Sequence, residues 1–241
     1  MTTVVDNLTK APYPLTVIAG CSGVGKDTLY KAMQAIEENP LLKTVSATTR
    51  PPRLGEQNGV DYHFLTTATF EAKVQAGDFI EHATFSGNAY GTLFSEVNTK
   101  LGQGSVCLVI ELEGVRQLKE AWLAGKLATP RFKSIFVLPQ ELPSIQTVQQ
   151  MTPQALIPLL EVLRERLNSR GTETPETLAN RLKRASDELL TVWRDQHSPS
   201  LNNGQTHLMD AVFVNPNSDH VPLVDTAKAL LASIHQLHQL S

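Results

Sequence analysis

The stretch that most constrains the fold of this chain is GCSGVGKDT, at residues 20–28. It follows the apolar run LTVIA at 15–19 and opens the segment 26–37, whose apolar residues recur at helical spacing. The pattern up to Lys26 is G-x-x-x-x-G-K, in which glycines let backbone N–H groups approach phosphate oxygens. A strand, a glycine-rich turn and a helix N-terminus predict a phosphate-binding loop. The competing interpretation is a glycine-rich turn with a solvated lysine.

Further apolar runs along the chain indicate the fold class. They are continuous rather than alternating, which predicts strands buried on both faces, as in a parallel sheet. The runs lie at 105–112, 132–138 and 210–214, and helical patterns separate or follow them at 114–124, 155–168, 175–193 and 222–238. Alternating strands and helices predict an α/β fold.

One internal segment, 46–98, has a different pattern, with turn signals and short runs that contain aromatic residues. It predicts a small β-rich insert. We therefore expect a core made of 13–45, 99–139 and 208–241, the insert at 46–98, and a third region at 140–207.

Composition excludes several classes of protein. The 241 residues are 41% hydrophobic and 19% charged, which is enough for one large domain or a core with inserted parts. A net charge of −3 gives no basic field for nucleic acid. We expect no membrane association, because we find neither a secretory signal nor an apolar run of about 18 residues. Cys21 and Cys107 form no metal-ligand spacing or disulfide framework, which favours the cytoplasm.

Asp27 is the unusual residue of the loop, because a Ser or Thr hydroxyl usually ligates magnesium at this position. A carboxylate is also a hard oxygen ligand for Mg²⁺. The alternative is that Asp27 only favours the first helical turn through the helix dipole. Thr28 follows at once and Lys26 is intact, so the stretch alone leaves both interpretations open.

The segment SATTRPPR at 46–53 suits a second phosphate. Arg50 and Arg53 lie three residues apart among hydroxyl side chains, and guanidinium groups pair with phosphate through two hydrogen bonds. The competing interpretation is a surface loop with solvated arginines.

Glu81 lies among apolar and aromatic residues in FIEHATFSGNAYGT, at 79–92. Its carboxylate suits the N1–H and N2–H₂ donors of guanine, whereas adenine would leave it unpaired. Thr92 is expected at another edge of the base, and the hydroxyls of Tyr62 and Tyr90 at the phosphate. Glu81 could equally be a solvated strand residue.

The arginines of RERLNSRGTETPETLANRLKR, at 164–184, form the last candidate group. Arg166, Arg170 and Arg181 come from a helix end, a turn and the next helix, and such arginines can close over transferring phosphates. Spacing alone favours an ordinary charged helical hairpin.

Together these segments resemble the guanylate kinase family, through GCSGVGK, SATTRPPR, GEQNGVDYHF, GDFIEHATFSGNAYGT, EGVRQLK, RGTETPETLANRLKRA and VFVN. They occur in the family's order. The resemblance implies a P-loop core with a parallel sheet flanked by helices, a β-rich GMP-binding insert and a helical lid. It also implies phosphorylation of GMP, and of dGMP, by ATP with Mg²⁺.

The resemblance also implies site residues. The implied catalytic residues are Lys26, Arg50, Arg166, Arg170 and Arg181. Those implied for ATP are Gly20, Cys21, Ser22, Gly23, Val24, Gly25, Lys26, Asp27, Thr28 and Asn215. Those implied for GMP are Ser46, Arg50, Arg53, Tyr62, Glu81, Tyr90, Gly91, Thr92 and Glu111. Asp27, where the family usually has Ser, is our own hypothesis for a Mg²⁺ ligand. The protein is expected as a monomer or homodimer.

The chain departs from the family pattern at three places. Asp27 replaces the usual Ser. Val109 replaces the first of two strand acids, Glu111 is the second, and Glu113 replaces a usual Gln. The segments 140–160 and 196–207 are longer than usual. We hypothesise that Asp27 partly takes over the metal positioning that Val109 cannot provide.

Two other functions remain open. Ribose 1,5-bisphosphate kinases resemble this chain in the Lys-Asp pair of the loop, but they would not need the guanine-reading residues. Non-catalytic guanylate-kinase-like modules bind phosphoproteins, and they usually lose the loop lysine that this chain keeps as Lys26.

Overall fold

The apolar run before the glycine-rich loop forms a strand, and all six of its residues are buried. The computed structural model describes residues 13–37, 39–85, 87–141, 152–169, 171, 174–197, 207–216 and 221–239. In chain order the elements are β1 (Leu15–Gly20), α1 (Lys26–Gln34), β2 (Leu41–Lys43), β3 (Ala47–Thr48), β4 (His63–Phe64), α2 (Thr67–Gln75), β5 (Phe79–Phe85), β6 (Asn88–Leu93), α3 (Phe94–Leu101), β7 (Ser105–Val109), α4 (Leu112–Leu123), β8 (Phe132–Leu138), α5 (Ile157–Asn168), α6 (Pro175–His197), β9 (Ala211–Val214) and α7 (Leu223–Gln239).

The larger sheet has five strands in the order β2-β7-β1-β8-β9. β2 pairs with β7, and β8 with β9, in parallel. The N–H groups of Val106 and Ile110 donate to the carbonyls of Pro14 and Ile18 respectively. Residue numbers rise together on both strands, so β7 and β1 are parallel. The predicted α/β fold with a parallel sheet is confirmed.

Two strand predictions need correction. The run 105–112 was expected as one strand, but β7 ends at Val109 and α4 begins at Leu112. Glu111 therefore lies in the connection after the carboxyl end of β7, where parallel sheets bind ligands. The run 210–214 was expected to be buried on both faces, yet β9 is only partly buried and Val212 is 39% exposed. Among the described strands it lies at the edge of the sheet, so within that part of the chain one side has no neighbouring strand.

The helices keep their predicted places with shifted ends. α1 stops at Gln34 rather than near 37, and the Asn39 side-chain amide donates to the Met33 carbonyl. α6 begins where the hydroxyl of Thr174 accepts from the N–H of Thr177, and it runs to His197 rather than 193. The described helices include none that is long and apolar enough to cross a membrane.

The chain divides into two compact units, which we describe separately. Unit 1 comprises the described residues of Met1–Thr16, Pro40–Leu108 and Glu113–Phe132, and unit 2 those of Val17–Asn39, Val109–Leu112 and Lys133–Ser241. The three-part division expected from the sequence stays a prediction.

Unit 1 contains the expected β-rich segment as a four-stranded sheet in the order β4-β3-β6-β5. β6 is antiparallel to β3 and β5, whereas β3 and β4 are parallel. A small core of Ala47, Phe70, Phe79 and Leu93 lies against it, with the rings of Phe70 and Phe79 stacked at 4.4 Å. The helices α2 and α3 were not expected here. Phe70 is the one buried residue of α2, so its sequence carries little helical periodicity.

Candidate functional site

The glycine-rich loop of unit 2 has the backbone that a phosphate site needs. Gly23 and Gly25 both have φ of 89°, which favours glycine. A Cβ on Gly20 would lie 2.9 Å from the Val137 carbonyl oxygen, and one on Gly25 would lie 2.8 Å from the Asn215 amide nitrogen. α1 begins directly after Gly25. The first N–H groups of a helix lack partners within the helix, so this end attracts anions.

Lys26 lies in the loop with its ammonium group already paired. Its Nζ donates to the Gly20 carbonyl at 3.1 Å and to Glu111 Oε1 at 2.9 Å. The lysine side chain is 10% exposed and that of Glu111 46% exposed. Lys26 was predicted for ATP and Glu111 for GMP, and the structure brings the two side chains together in unit 2.

Two charged residues that the sequence analysis did not select extend this ion pair. Arg184 of α6 places Nη2 at 3.6 Å from Glu111 Oε2, and its Nε donates to Glu188 Oε1 at 3.1 Å. Burial raises the pKa of Glu188, and the charge of Glu111 raises it further, while Arg184 and Lys26 oppose the shift. A partial signal was available, because Arg184 follows Arg181 by three residues on one helix face.

Arg181 reaches the loop from α6, as a nucleotide-site arginine should. Its Nη1 donates to the hydroxyl of Ser22 at 3.0 Å. The thiol of Cys21 donates to the Ala185 carbonyl at 3.6 Å, and burial raises the pKa of that thiol well above its usual value. The Cys21 thiol therefore stays protonated and is no nucleophile, so Cys21 contributes to the loop through its backbone.

Arg166 bonds to backbone rather than to another charged group in the described part of the chain. Its guanidinium donates to four carbonyls, those of Val24 at 3.3 Å, Pro139 at 3.3 Å, Asn215 at 3.1 Å and Pro216 at 2.8 Å. Burial lowers the pKa of Arg166. Arg166 thereby links α5 to the loop. Arg170, the neighbouring candidate, lies outside the described residues.

A cavity of about 180 Å³ adjoins the loop in unit 2, lined by Gly23, Val24, Gly25, Thr28, Arg166, Ser169, Asn215 and Leu223. Asn215 is 2% exposed, and its amide nitrogen donates to the Val24 carbonyl at 2.8 Å. Its Oδ1 has no hydrogen-bond partner among the described residues. The predicted nucleotide residue Asn215 thus lies at a pocket beside the loop.

Asp27 and Thr28 both have exposed side chains at the start of α1. The described residues contain no cluster of three or more His, Cys, Asp or Glu that could hold a metal by itself. Any divalent ion here would need ligands from nucleotide phosphates and water, which is how magnesium is commonly bound.

Unit 1 places the predicted Arg50 among aromatic rings and one carboxylate. Its Nη2 donates to Glu56 Oε1 at 2.8 Å, and the guanidinium lies 5.5 Å from the Tyr62 ring centre and 5.9 Å from that of Phe64. The Glu56 hydrogen bond raises the pKa of Arg50, and Arg50 in turn lowers the pKa of Glu56. Glu56 was not among the site residues predicted from the sequence.

The neighbouring predicted residues complete this group. The Arg53 N–H donates to Glu56 Oε2 at 2.7 Å, and the rings of Tyr62 and Tyr90 meet edge to face at 6.1 Å. Ser46 lies just before β3, and its carbonyl accepts from the N–H of His63 at 2.9 Å. The unit therefore gathers the segment that carries Arg50 and Arg53, together with two tyrosines, around the β3–β4 side of its sheet.

Glu81 and Thr92 lie opposite each other on β5 and β6. The Thr92 hydroxyl donates to Glu81 Oε1 at 2.6 Å, and Thr92 is fully buried. Gly91 allows this close approach, because a Cβ there would lie 2.8 Å from the Glu81 carbonyl and 2.7 Å from the Phe79 ring. The hydrogen bond fixes a half-buried carboxylate in one orientation.

Comparison with known proteins decides the family. The family model for guanylate kinase matches residues 13–156. A guanylate kinase from Frankia casuarinae is 42% identical over 180 residues, which cover 74% of this chain and 83% of that protein. The chain belongs to the guanylate kinase family.

Other relatives agree with this family. A guanylate kinase from Gloeobacter violaceus is 40% identical over 76% of this chain and 77% of its own length, and one from Sus scrofa is 39% identical over 74% and 78%. The crystal structure of guanylate kinase from Anaplasma phagocytophilum has a TM-score of 0.55 over 96% of this chain and 89% of that chain. At 23% identity this last likeness shows the fold alone.

The guanylate kinase match confirms the resemblance found in the sequence. Its range contains Lys26, Glu111 and all the predicted GMP residues of unit 1, whereas Arg166, Arg181 and Asn215 lie beyond residue 156. The roles of individual residues stay predictions.

Proposed function

We propose that this protein is a guanylate kinase that transfers the terminal phosphoryl group of ATP to GMP, giving ADP and GDP. The observation that carries the proposal is the fixed Glu81 carboxylate, held by Thr92 at 2.6 Å. A carboxylate in this state accepts the paired N–H donors of guanine and is left unpaired by adenine. Lys26 remains in the glycine-rich loop, as ATP binding requires.

The proposed roles follow from charge. Lys26, the loop N–H groups and Arg181 bind the phosphates of ATP, while Arg50, Arg53, Ser46, Tyr62 and Tyr90 bind the phosphate of GMP. Arg170 joins the first group by family resemblance. A GMP phosphate oxygen is already anionic near neutral pH, so the attacking atom needs no strong general base. Catalysis is then positioning together with neutralisation of charge on the transferred group.

Asn215 suits the base end of ATP in this proposal, whereas Arg166 keeps the role at the transferred group that the resemblance implies. They line the cavity beside the loop, and the buried Asn215 Oδ1 is an acceptor available to an exocyclic amine. The cavity of about 180 Å³ adjoins the loop, so a base bound there would lie beside the loop that we propose for the ATP phosphates.

Magnesium is part of the proposal, and the exposed oxygens of Asp27 and Thr28 fit a hard cation that keeps most of its ligands from phosphate and water. When bound, the ion would neutralise phosphate charge. If Asp27 compensates for Val109, Asp27→Ser alone lowers kcat or the affinity for Mg²⁺, measured by magnesium titration of the rate. An increase in both quantities would show that Asp27 does not compensate.

The remaining parts of the proposal concern the setting of the reaction. We place it in the cytoplasm, as the buried free thiols of Cys21 and Cys107 suit a reducing compartment. The substrates are GMP, dGMP and ATP, and the protein acts as a monomer or homodimer; sedimentation of the purified protein measures which.

The decisive experiment is a coupled ADP-release assay with GMP, dGMP, AMP, UMP and ribose 1,5-bisphosphate, at several magnesium concentrations. We expect release with GMP and dGMP and little with AMP or UMP. Release with ribose 1,5-bisphosphate alone would replace the proposal with a bisphosphate kinase. No turnover despite GMP binding would indicate an interaction module.

A further inference from the structure

The carboxylate of Glu111 is shared by two cations that come from different segments of unit 2. Its Oε1 accepts from Lys26 Nζ at 2.9 Å, and its Oε2 lies 3.6 Å from Arg184 Nη2. Lys26 belongs to the phosphate loop, and Arg184 to α6. One carboxylate therefore connects the loop lysine to Arg184, an arginine that has no role in the proposed reaction.

ATP binding changes the charge around this carboxylate. On the proposed function, Lys26 turns its ammonium group towards phosphate oxygens, which compete with Glu111 for the same protons. Glu111 would then be an anion beside a polyanion, and like charges at short range repel. A second cation at Glu111 removes this repulsion, and Arg184 already lies at the other oxygen.

Arg184 is held in place from the side of α6. Its Nε donates at 3.1 Å to Glu188, one helical turn further on, whose side chain is only 10% exposed. Arg181, three residues earlier, directs its guanidinium to Ser22 of the loop. The same helix face thus presents Arg181 to the phosphate loop and Arg184 to the carboxylate that binds the loop lysine.

Lys183, the neighbour of Arg184, shares none of these contacts with Glu111, Glu188 or Ser22. Its side chain is 81% exposed and pairs with Asp187 at 3.5 Å, one turn along α6. Lys183 carries the same charge on the same helix, so it is a matched control for any effect of the general charge of α6.

We propose that Arg184 is a positioning residue for ATP: it takes over the Glu111 carboxylate when Lys26 binds the phosphates. Arg184 acts through Glu111 and does not contact the nucleotide. The inference rests on the proposed function. It predicts that the contribution of Arg184 to ATP affinity depends on the negative charge of Glu111.

A double-mutant cycle tests this dependence. The proteins are the wild type, Arg184→Gln, Glu111→Gln and the double variant, and ATP binding with Mg²⁺ is titrated by calorimetry without GMP. We expect Arg184→Gln to raise the Kd of ATP about fivefold, with KM changing more than kcat. In the Glu111→Gln background the same substitution changes Kd by less than about twofold, because the neutral amide does not repel ATP.

Controls separate the possible outcomes. Lys183→Gln should leave ATP binding unchanged, and thermal unfolding verifies each fold. If Arg184→Gln does not fold, Arg184→Met, which keeps the apolar stem, replaces it in the cycle. Additive penalties would mean that Arg184 acts on the nucleotide directly, and an unchanged Kd would mean that it has no role; either result overturns the inference. Wild-type ADP release with GMP is measured alongside, since its absence refutes the proposed function instead.

Discussion

The two units each hold a predicted phosphate-binding cation on a carboxylate, but they build the pair differently. In unit 1, Arg50 meets Glu56 at 2.8 Å, six residues along the chain. In unit 2, Lys26 meets Glu111 at 2.9 Å, 85 residues along the chain. The first pair is formed within one loop, whereas the second depends on two segments being brought together by the fold.

The surroundings of the two pairs also differ. Glu56 faces Arg50 and a backbone N–H, which favour its charged form and lower its pKa. In unit 2, Glu111 pairs with both Lys26 and Arg184, and Glu188 pairs with Arg184. Burial and the charge of Glu111 raise the pKa of Glu188. The local pair of unit 1 is complete, because both oxygens of Glu56 accept hydrogen bonds from its own loop. The shared network of unit 2 responds to any new charge, such as that of a nucleotide.

Removing Lys26 should give the largest effect and should affect one nucleotide only. We expect Lys26→Met to lower kcat/KM for ATP by about 10²–10³-fold, because a charged donor to the transferred phosphate is lost. GMP binding should stay within about twofold. The control is Lys31→Met, an exposed lysine of the same helix. The coupled assay and GMP calorimetry measure both effects, and a large loss of GMP affinity would contradict the assignment of Lys26 to ATP alone.

Replacing Glu81 should produce the opposite pattern. Glu81→Gln keeps an oxygen for the Thr92 hydroxyl but places an amide N–H where guanine offers donors. We expect kcat/KM for GMP to fall about 10–10²-fold with the Kd of ATP unchanged. Glu71→Gln, on the exposed side of α2, is the control. ADP release with GMP and AMP gives the selectivity, and an unaltered GMP rate would remove Glu81 from the base site.

Most of the correct predictions from the sequence concern residues that are close together along the chain. β1, the glycine loop and the start of α1 are contiguous, and the opposed Glu81 and Thr92 belong to adjacent strands. The contacts that went unpredicted are long-range ones. Nothing in the sequence indicates that Arg184 meets Glu111, or that the carbonyls around Arg166 come from three separate segments. Such contacts are set by how helices pack on the sheet rather than by any periodicity.

Arg166 tests whether long-range contacts in unit 2 support the loop itself. Arg166→Met removes the guanidinium donor from the partly buried Pro139 and Asn215 carbonyls, while the Val24 carbonyl keeps the Asn215 amide. We therefore expect a loss of about 1–3 kcal/mol in the free energy of unfolding. Arg164→Met is the control, since that side chain is 50% exposed and pairs with Glu161; it should cost less than about 0.5 kcal/mol. Urea unfolding measures both. Unchanged stability with a lowered kcat would instead favour the role that the sequence suggested, at the transferred group.

The pH dependence of stability should distinguish the two carboxylates by sign, with the smallest effect of the series. The raised pKa of Glu188 means that the folded state binds its proton more tightly than the unfolded state. The contribution of Glu188 to the free energy of unfolding is therefore full below the ordinary glutamate pKa of about 4.3, and it is lost as pH rises through the pKa of the folded state. Relative to the wild type, Glu188→Gln should gain stability as pH rises from that value.

Glu56 should behave in the reverse way. Because the pKa of Glu56 is lowered, its contribution to the free energy of unfolding is present above the ordinary glutamate pKa and is lost as pH falls through the pKa of the folded state. The advantage of the wild type over Glu56→Gln should therefore shrink on acidification, whereas Glu188→Gln should lose its relative gain. Urea unfolding of the three proteins across the acidic range measures both slopes. Slopes of the same sign would contradict the contrast between the two pairs. Burial beside a second carboxylate raises the pKa of a carboxyl group, whereas pairing with a single cation lowers it.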